Sequence, residues 1–229
     1  MGDTELELAQ LLCTRLCHDL AGPVGAVAAG VELIGGDPGQ VDAETLGLIG
    51  NSSVAASLKL KFMRAALGPP GGTSGDPRAL LEGYLKAVSG PGGVPAVTWP
   101  APASLALGES VVGAGWTQTV LNLCLLGFET LPGCRTLALQ LVDASDLNVT
   151  VETRGAPDRA VILRDELLAA VAGRTPPALS AKTIHSHVAG RLVRAAGGSL
   201  GLSASGNRVT VTAVFPRAEG ILKNRLPHS

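Results

Sequence analysis

Few aromatic residues, little net charge and only four cysteines characterise this sequence, and each shortage excludes a class of protein. Aromatic side chains make up 3% of the 229 residues, so the core has to be built from Leu, Val and Ala, within a hydrophobic content of 46%. The formal net charge of -1 lacks the basic excess that a general nucleic-acid binder needs to displace counterions. The length suffices for one large domain or two small ones.

The chain also lacks a long, uninterrupted apolar run. Its longest apolar stretches are broken by Gly, Pro or charged residues, well short of the roughly 20 residues that a membrane-spanning helix needs. The first residues, Met-Gly-Asp-Thr-Glu-Leu-Glu, are acidic where a signal peptide is basic. We therefore expect a soluble, cytoplasmic protein that binds neither membrane nor nucleic acid.

The cysteines do not indicate a disulfide framework, because nothing in the sequence suggests secretion. Cys13 and Cys17 are one helical turn apart and adjoin His18. The resulting C-x3-C-H cluster lacks the paired spacing of structural zinc sites. We expect no metal site, and we interpret these cysteines, like Cys124 and Cys134, as small apolar residues.

Two amphipathic helices are predicted at the start of the chain. Apolar residues recur at steps of three and four from about Thr4 to Ile34, and again from about Asp42 to Leu67. The connection from Gly35 to Gly39 holds several helix breakers. So short a loop makes the two helices antiparallel, as a helical hairpin. Because a hairpin alone cannot bury two apolar stripes, we predict a homodimer that forms a four-helix bundle.

A mixed pattern follows the linker Gly68 to Asp76, which is rich in Gly and Pro. Pro77 is suited to begin a short helix. Strands are predicted where apolar and polar residues alternate with a period near two, or where a short apolar run occurs. These segments are Val94 to Trp99, Leu137 to Val142, Leu147 to Thr153, Ser199 to Ser203 and Arg208 to Phe215. Helices are predicted at Ser110 to Leu131, Asp158 to Ala172 and Ala181 to Ala196.

The predicted fold class is therefore α+β. Residues 1–70 form the helical hairpin, residues 77–216 form a two-layer α/β sandwich, and residues 217–229 form a tail. Strand pairs separated by helices favour the sandwich.

His18 is the main candidate for chemistry because it lies on the polar side of the first helix. At about 100° per residue it is roughly 200° from Leu16 and Leu20, which belong to the apolar stripe. Asp19 follows it directly, and Pro23 lies five residues further on. Because Pro23 has no N–H to donate, it frees the backbone carbonyl of Asp19 and bends the helix just after the histidine.

Asp19 is the natural hydrogen-bond partner of the His18 imidazole, and we expect its side chain to face solvent. A carboxylate that accepts from one ring nitrogen leaves the other nitrogen with a free lone pair, as a nucleophile. The helix face around His18 is almost bare beyond it, and the candidate partner-contact residues on this face are Thr14, Arg15, Gly22, Gly25 and Ala29. Glycine inside a helix costs about 1 kcal/mol relative to alanine. A face that tolerates two glycines leaves room for another protein to approach closely.

The segment His18-Asp19-Leu20-Ala21-Gly22-Pro23 resembles the H-box of histidine kinases, with Asp19 where kinases usually have Glu. Gln118 to Gly127 resembles the N-box helix of the kinase ATP-binding domain. Gly197-Gly198-Ser199-Leu200 and Arg208 to Pro216 resemble the closing hairpin of that domain. Within this family the chain is similar to the ChpT-type dimeric histidine phosphotransferases, over about residues 5 to 216.

Three departures from the kinase pattern affect the nucleotide site. An N-box keeps two asparagines four residues apart; Asn122 matches the first, but Leu126 occupies the second position. In the D-x-G-x-G box, Thr153 replaces the aspartate and Pro157 replaces the second glycine. The segment Pro176 to Lys182 has no glycine where backbone N–H groups should approach phosphates. We therefore expect an ATPase-like fold that binds no ATP.

His185 and His187 are weaker candidates, in a helix rich in small apolar residues. Neither has a recognisable carboxylate to orient it. We interpret both as surface or partner-contact residues rather than as catalytic ones.

The resemblance implies a histidine phosphotransferase of a multistep phosphorelay. His18 would accept a phosphoryl group from the aspartyl-phosphate of one receiver domain and pass it to the aspartate of another, with Asp19 orienting the ring. The partners implied are a hybrid-kinase receiver as donor and a response regulator as acceptor. Mg²⁺ is expected on the receiver, and no cofactor on this chain. Two alternatives stay open: an ATP-dependent histidine kinase with an atypical nucleotide pocket, and a non-catalytic dimeric scaffold that binds receivers.

Overall fold

The computed structural model describes residues 3–36, 42–69, 75–90, 92–158, 160–173 and 180–217. The chain divides into two compact units, a helical unit that extends to Val94 and an α/β unit that begins at Pro95. Much of the predicted linker, most of the Pro176 to Lys182 segment and the tail after Arg217 lie outside the described residues. The predicted α+β class, with a helical N-terminal part, is confirmed.

The helical unit holds α1 (Asp3–Gly36), α2 (Ala43–Leu67) and α3 (Pro77–Val88). Asp42 caps α2, where its carboxylate accepts a hydrogen bond from the Thr45 N–H at 2.7 Å. The helices α1 and α2 pack against each other as predicted. The Ile49 side chain of α2 packs directly on Gly30 of α1, where a Cβ atom would overlap it. This close approach explains why the late part of α1 uses a glycine.

Helix α3 packs against α2 and belongs to the helical unit. The prediction had placed its residues at the start of the second domain. The rings of Phe62 and Tyr84 stack with centroids 4.3 Å apart and an interplanar angle of 24°. Both side chains are buried. The chain has only three phenylalanines and one tyrosine, and two of these four rings form this contact. Because the contact joins α2 to α3, it makes α3 a part of the helical unit.

The α/β unit is built on one five-stranded sheet of order β1-β2-β3-β5-β4. Its strands are β1 (Ala96–Thr98), β2 (Thr136–Asp143), β3 (Asp146–Arg154), β4 (Ser199–Ser205) and β5 (Arg208–Pro216). Only β1 and β2 are parallel, and the other neighbours are antiparallel. The helices are α4 (Pro102–Val112), α5 (Trp116–Thr130), α6 (Asp165–Val171) and α7 (Ile184–Ala195). Alternate residues of β3 and β5 are buried, so one face of the sheet carries the core.

Two helices of this unit, α4 and α6, differ from the prediction. Helix α4 was not predicted; it ends before Gly113, whose φ of +76° stops the helix, and a 3-10 turn then leads into α5. Helix α6 begins at Asp165, seven residues later than predicted. The stretch Pro102–Thr130 is long and apolar enough to span a membrane, against the expectation above, but 61% of its most apolar window is buried inside the unit. Burial of this kind is typical of a core helix.

Candidate functional site

His18 lies in the middle of α1 with its side chain 83% exposed. Its Nδ1 atom is 3.3 Å from the Oδ1 atom of Asp19. A neutral ring that donates from Nδ1 to this carboxylate keeps its lone pair on Nε2. The predicted neighbours are thus brought together as expected, with the imidazole open to solvent.

The Asp19 side chain does not face solvent, which corrects the expectation from the sequence: only 14% of it is exposed. Its carboxylate accepts from Nε of Arg15 at 2.9 Å and 3.1 Å, and Arg15 is itself 19% exposed. The pairing follows from the spacing, because residues four apart lie one above the other on a helix. Arg15 therefore holds the carboxylate that contacts the His18 ring.

The freed backbone carbonyl of Asp19 has a partner from the second helix. The Nζ atom of Lys59, in α2, donates to this oxygen at 3.0 Å. Sequence reasoning identified the carbonyl but missed Lys59. A signal was present, since Lys59 belongs to a row of residues at helical steps of three and four, none of which is exposed, together with Ile49, Ser52, Ala56 and Met63.

The bare face predicted beside His18 is present. Gly22 and Gly25 are exposed, and a Cβ atom built on either would meet nothing within 4 Å. Ala29 and Thr14 are exposed as well, and the Thr14 hydroxyl donates to the carbonyl of Gln10 at 2.8 Å. The surface next to the histidine is therefore open and made of small residues.

In the α/β unit, three of the positions that the sequence resemblance assigns to a nucleotide site, Asn122, Leu126 and Thr153, are buried. Leu126 is 1% exposed, and Thr153 is fully buried. The Asn122 side chain, also buried, donates to the carbonyl of Gln118 at 2.8 Å, within its own helix. After β3, the backbone of Gly155 bonds in both directions to Asn207, at 2.9 Å and 3.0 Å. Each of these polar groups is used inside the protein fold.

His185 and His187 are not surface residues, which corrects their interpretation. They are 2% and 6% exposed. The Nδ1 atom of His185 lies 3.3 Å from the Glu129 carboxylate, a partner on α5 that is 56 residues away in sequence. Burial, followed by the charges of Arg191 and Arg194, lowers the pKa of His187. Long-range packing of α5 on α7 creates this environment, so the local sequence could not reveal it.

The cysteines fall into two environments. Cys13 and Cys17 are exposed on α1, whereas Cys124 and Cys134 are buried. Burial raises the pKa of the Cys134 thiol to about 11. Among the described residues, no cluster of three or more His, Cys, Asp or Glu side chains could hold a metal ion.

Comparison with known proteins gives consistent results. Residues 76–208 match the profile of the family described as "Histidine phosphotransferase C-terminal domain". The curated protein phosphotransferase ChpT of Brucella abortus (strain 2308) is 32% identical over 158 residues, which cover 65% of this chain and 69% of that protein.

Solved structures include a similar chain. A bacterial phosphotransferase matches with a TM-score of 0.68 at 25% identity, and the match covers 93% of this chain and 97% of that one. A chain of the histidine kinase AdeS of Acinetobacter baumannii matches at 12% identity with a TM-score of 0.44, covering 88% of this chain and 98% of that one.

Proposed function

This chain belongs to the histidine phosphotransferase family, and from that membership we propose that His18 is its phosphoacceptor in a phosphorelay. One observation carries the assignment of the residue. His18 is an exposed imidazole whose Nδ1 contacts a carboxylate that is fixed by a second ion pair. This arrangement is what a nucleophilic histidine requires, because the orienting group holds the ring while the opposite nitrogen stays free.

The proposed reaction is an in-line displacement at phosphorus. The Nε2 lone pair of neutral His18 forms a bond to the phosphorus of a receiver aspartyl-phosphate, and the acyl phosphate P–O bond breaks. The receiver carboxylate leaves with the bonding electrons. Asp19 accepts from Nδ1–H and stabilises the positive charge that develops on the ring. Transfer to a second receiver is the same step in reverse.

The receiver is proposed to supply the Mg²⁺ and most of the charge stabilisation. This chain then contributes the nucleophile, its orientation and a docking surface, and positioning alone can supply much of the rate. The open surface of Gly22, Gly25 and Ala29, with Thr14 at its edge, is where we place the receiver. Arg15 adds a positive charge beneath the reacting group while it holds Asp19.

We further propose that the phosphate does not come from ATP. In the kinases that the sequence resembles, the residue at the position of Leu126 helps to hold the metal that clamps ATP, and the residue at the position of Thr153 contacts the adenine. Both side chains are buried in the core here. Pro157 replaces a turn glycine. With these side chains the α/β unit keeps a kinase-like fold and serves as a further contact for receivers.

Dimerisation is proposed through the apolar residues that the hairpin leaves exposed. Val24 and Val31 are 55% and 54% exposed, and both lie about 120° or more around α1 from His18. Leu6, also exposed, begins a row with the same seven-residue spacing that passes through Cys13 and Leu20. Two heptad rows on one face are the pattern of a helix that packs in a bundle. We place the protein in the cytoplasm, where receiver domains occur.

A radiolabel transfer assay tests the function. Purified protein is mixed with ATP and Mg²⁺ alone, and separately with each of a panel of receiver domains that carry a labelled aspartyl-phosphate. We expect label on this chain only from a phosphorylated receiver, lost in His18→Gln and kept in the control His185→Gln. Label from ATP alone would support the kinase alternative. A folded protein that no phosphorylated receiver labels would support the scaffold.

A further inference from the structure

Pro23 leaves a defect in α1 one turn after the phosphoacceptor. In a regular helix the N–H of residue 23 would donate to the carbonyl of Asp19, four residues earlier. Proline has no N–H, so this carbonyl loses its partner within the helix. The defect falls on the residue whose carboxylate contacts the His18 ring. A displacement of the Asp19 backbone therefore also moves the carboxylate that orients the His18 imidazole.

Lys59 closes this defect from the opposite helix. Its ammonium group reaches across the hairpin and donates to the Asp19 carbonyl oxygen at 3.0 Å. A hydrogen bond from a charged donor is stronger than the N–H bond it replaces. The lysine is only partly exposed, on the side of α2 that packs on α1.

We propose that Lys59 is a positioning residue for phosphoryl transfer, which holds the backbone of Asp19 in place of the hydrogen bond that Pro23 removes. This inference rests on the proposed role of His18. Asp19 is then fixed at two points, at its carbonyl by Lys59 and at its carboxylate by Arg15. With backbone and side chain both held, the carboxylate presents a fixed acceptor to Nδ1 of His18. Lys59 thus compensates for the hydrogen bond that Pro23 removes.

The test is a double-mutant cycle with a chemical phosphodonor that needs no partner protein. Phosphoramidate is the probe: the Nε2 atom of His18 forms the new N–P bond, the P–N bond of the donor breaks, and ammonia leaves. The variants are Lys59→Met, the conservative Lys59→Arg, and Lys61→Met as a matched control on an exposed lysine of the same helix. Each is made alone and together with Pro23→Ala. Intact mass follows phosphorylation over a range of phosphoramidate concentrations.

We expect Lys59→Met to lower the limiting rate about tenfold, the loss of one charge-assisted hydrogen bond, with little change in the half-saturating concentration. Lys59→Arg keeps a donor and retains most of the rate, and Lys61→Met matches the wild type. Pro23→Ala restores an N–H to the Asp19 carbonyl. In that background, Lys59→Met is expected to change the rate by less than about twofold.

Two results with folded variants overturn the inference: an unchanged rate in Lys59→Met, or an equal loss in the presence and absence of Pro23→Ala. Circular dichroism shows whether each variant is folded. If Lys59→Met is unfolded, the inference requires that the double variant Lys59→Met, Pro23→Ala is folded and reacts with phosphoramidate. An unfolded double variant also contradicts the inference. A folded wild-type protein that neither phosphoramidate nor any phosphorylated receiver labels at His18 contradicts the proposed function itself. That outcome is distinct from all of those above.

Discussion

Thr153 donates its hydroxyl hydrogen to the backbone carbonyl of Gly127 at 3.1 Å, between the end of β3 and helix α5. The residue is fully buried, and a Cβ atom on Gly127 would lie 3.2 Å from its methyl group. In the kinase D-x-G-x-G box that this segment resembles, the equivalent residue is an aspartate that contacts the adenine. Here the side chain is shorter, points into the core and joins the sheet to the helix. We propose that this position serves packing here instead of contact with a nucleotide.

From this contact we expect that restoring the kinase residue does not restore nucleotide binding. Thr153→Asp places a carboxylate in a fully buried site and lowers the free energy of unfolding by roughly 3 kcal/mol or more. Thr153→Val removes only the hydrogen bond and costs about 1 kcal/mol. Chemical denaturation measures both values, and calorimetric titration with ATP and Mg²⁺ is expected to show no binding to either variant or to the wild type. ATP binding by the wild type would contradict the proposed role of the α/β unit.

Local pattern was enough to predict most of the elements. The stripes of α1 and α2 and the alternation of β2, β3 and β5 each reflect burial along a single element, so they can be read from the sequence. Helix α4 was missed because its sequence, PASLALGESVV, mixes small and apolar residues without a clear stripe. Its packing depends on Trp116, whose ring occupies the space above Gly108.

Only those residues of the candidate site that are close together in the sequence could be predicted. His18, Asp19 and Pro23 lie within one segment of a single helix, and their spacing predicted the proposed nucleophile, its neighbour and the free carbonyl. Lys59 comes from another helix, and its contact depends on the register of the hairpin. The burial of His185 against Glu129 likewise depends on how α7 packs on α5.

Asp19 is expected to affect both catalysis and stability. Asp19→Asn keeps the shape of the side chain but weakens the acceptor for Nδ1, so we expect phosphotransfer to slow by about tenfold to a hundredfold. Asp19→Ala is expected to lose as much rate and also to lower the melting temperature of the helical unit, because it leaves the partly buried Arg15 without this carboxylate. Transfer kinetics and circular dichroism melts distinguish the two effects. Full activity of Asp19→Asn would remove its orienting role.

The glycine face allows docking and stability to be separated. Gly25→Ala is expected to stabilise the hairpin by up to about 1 kcal/mol, since nothing lies within 4 Å of the new Cβ atom. Gly25→Gln projects a long side chain over the proposed receiver surface and is expected to slow transfer from a phosphorylated receiver at least about tenfold. Labelling by phosphoramidate should stay unchanged, because the nucleophile is intact.

Gly47→Gln is the matched control for this prediction. Gly47 lies in α2, is exposed and has the same free space around its Cβ position. Transfer in this variant should equal that of the wild type. If Gly25→Gln transfers normally, the receiver docks elsewhere.

The buried His187 predicts a loss of stability in acid. Its pKa in the folded chain lies below the ordinary 6.5 because burial and the nearby Arg191 and Arg194 disfavour the charged ring. Above that pH the residue is neutral in both states and contributes nothing to the pH dependence. As the pH falls below it, the unfolded chain takes up a proton that the folded chain does not, so the free energy of unfolding decreases until the folded pKa is reached.

Denaturation at a series of pH values between about 7.5 and 5 tests this pH dependence. His187→Gln is expected to flatten the profile, because the group whose pKa is lowered by burial is then absent. An identical slope in wild type and His187→Gln would show that other groups cause the acid sensitivity.

The exposed apolar residues on one face of α1, Leu6, Val24 and Val31, predict that a single charge placed there prevents the proposed dimerisation. Val24→Glu places a carboxylate at a core position of the proposed four-helix bundle, where burying it without a partner is unfavourable enough to dissociate the subunits. Light scattering after gel filtration should give the mass of a monomer for Val24→Glu and of a dimer for the wild type. Val142→Glu is the matched control, since Val142 is 57% exposed on β2 of the α/β unit, close to the 55% of Val24.

Two thiols on the same face of α1 provide a test of the geometry of the proposed dimer. Cys13 and Cys17 lie on α1 in the two heptad rows that contain Leu20 and Val24. If the two copies of α1 run parallel about a two-fold axis, equivalent thiols meet at the same level. A diazene oxidant, which takes two electrons and two protons from a thiol pair, should then form a cross-linked dimer that vanishes in the double Cys13→Ser, Cys17→Ser variant. Cross-linking that persists in this variant, or a wild-type protein that is monomeric at micromolar concentration, would contradict the bundle.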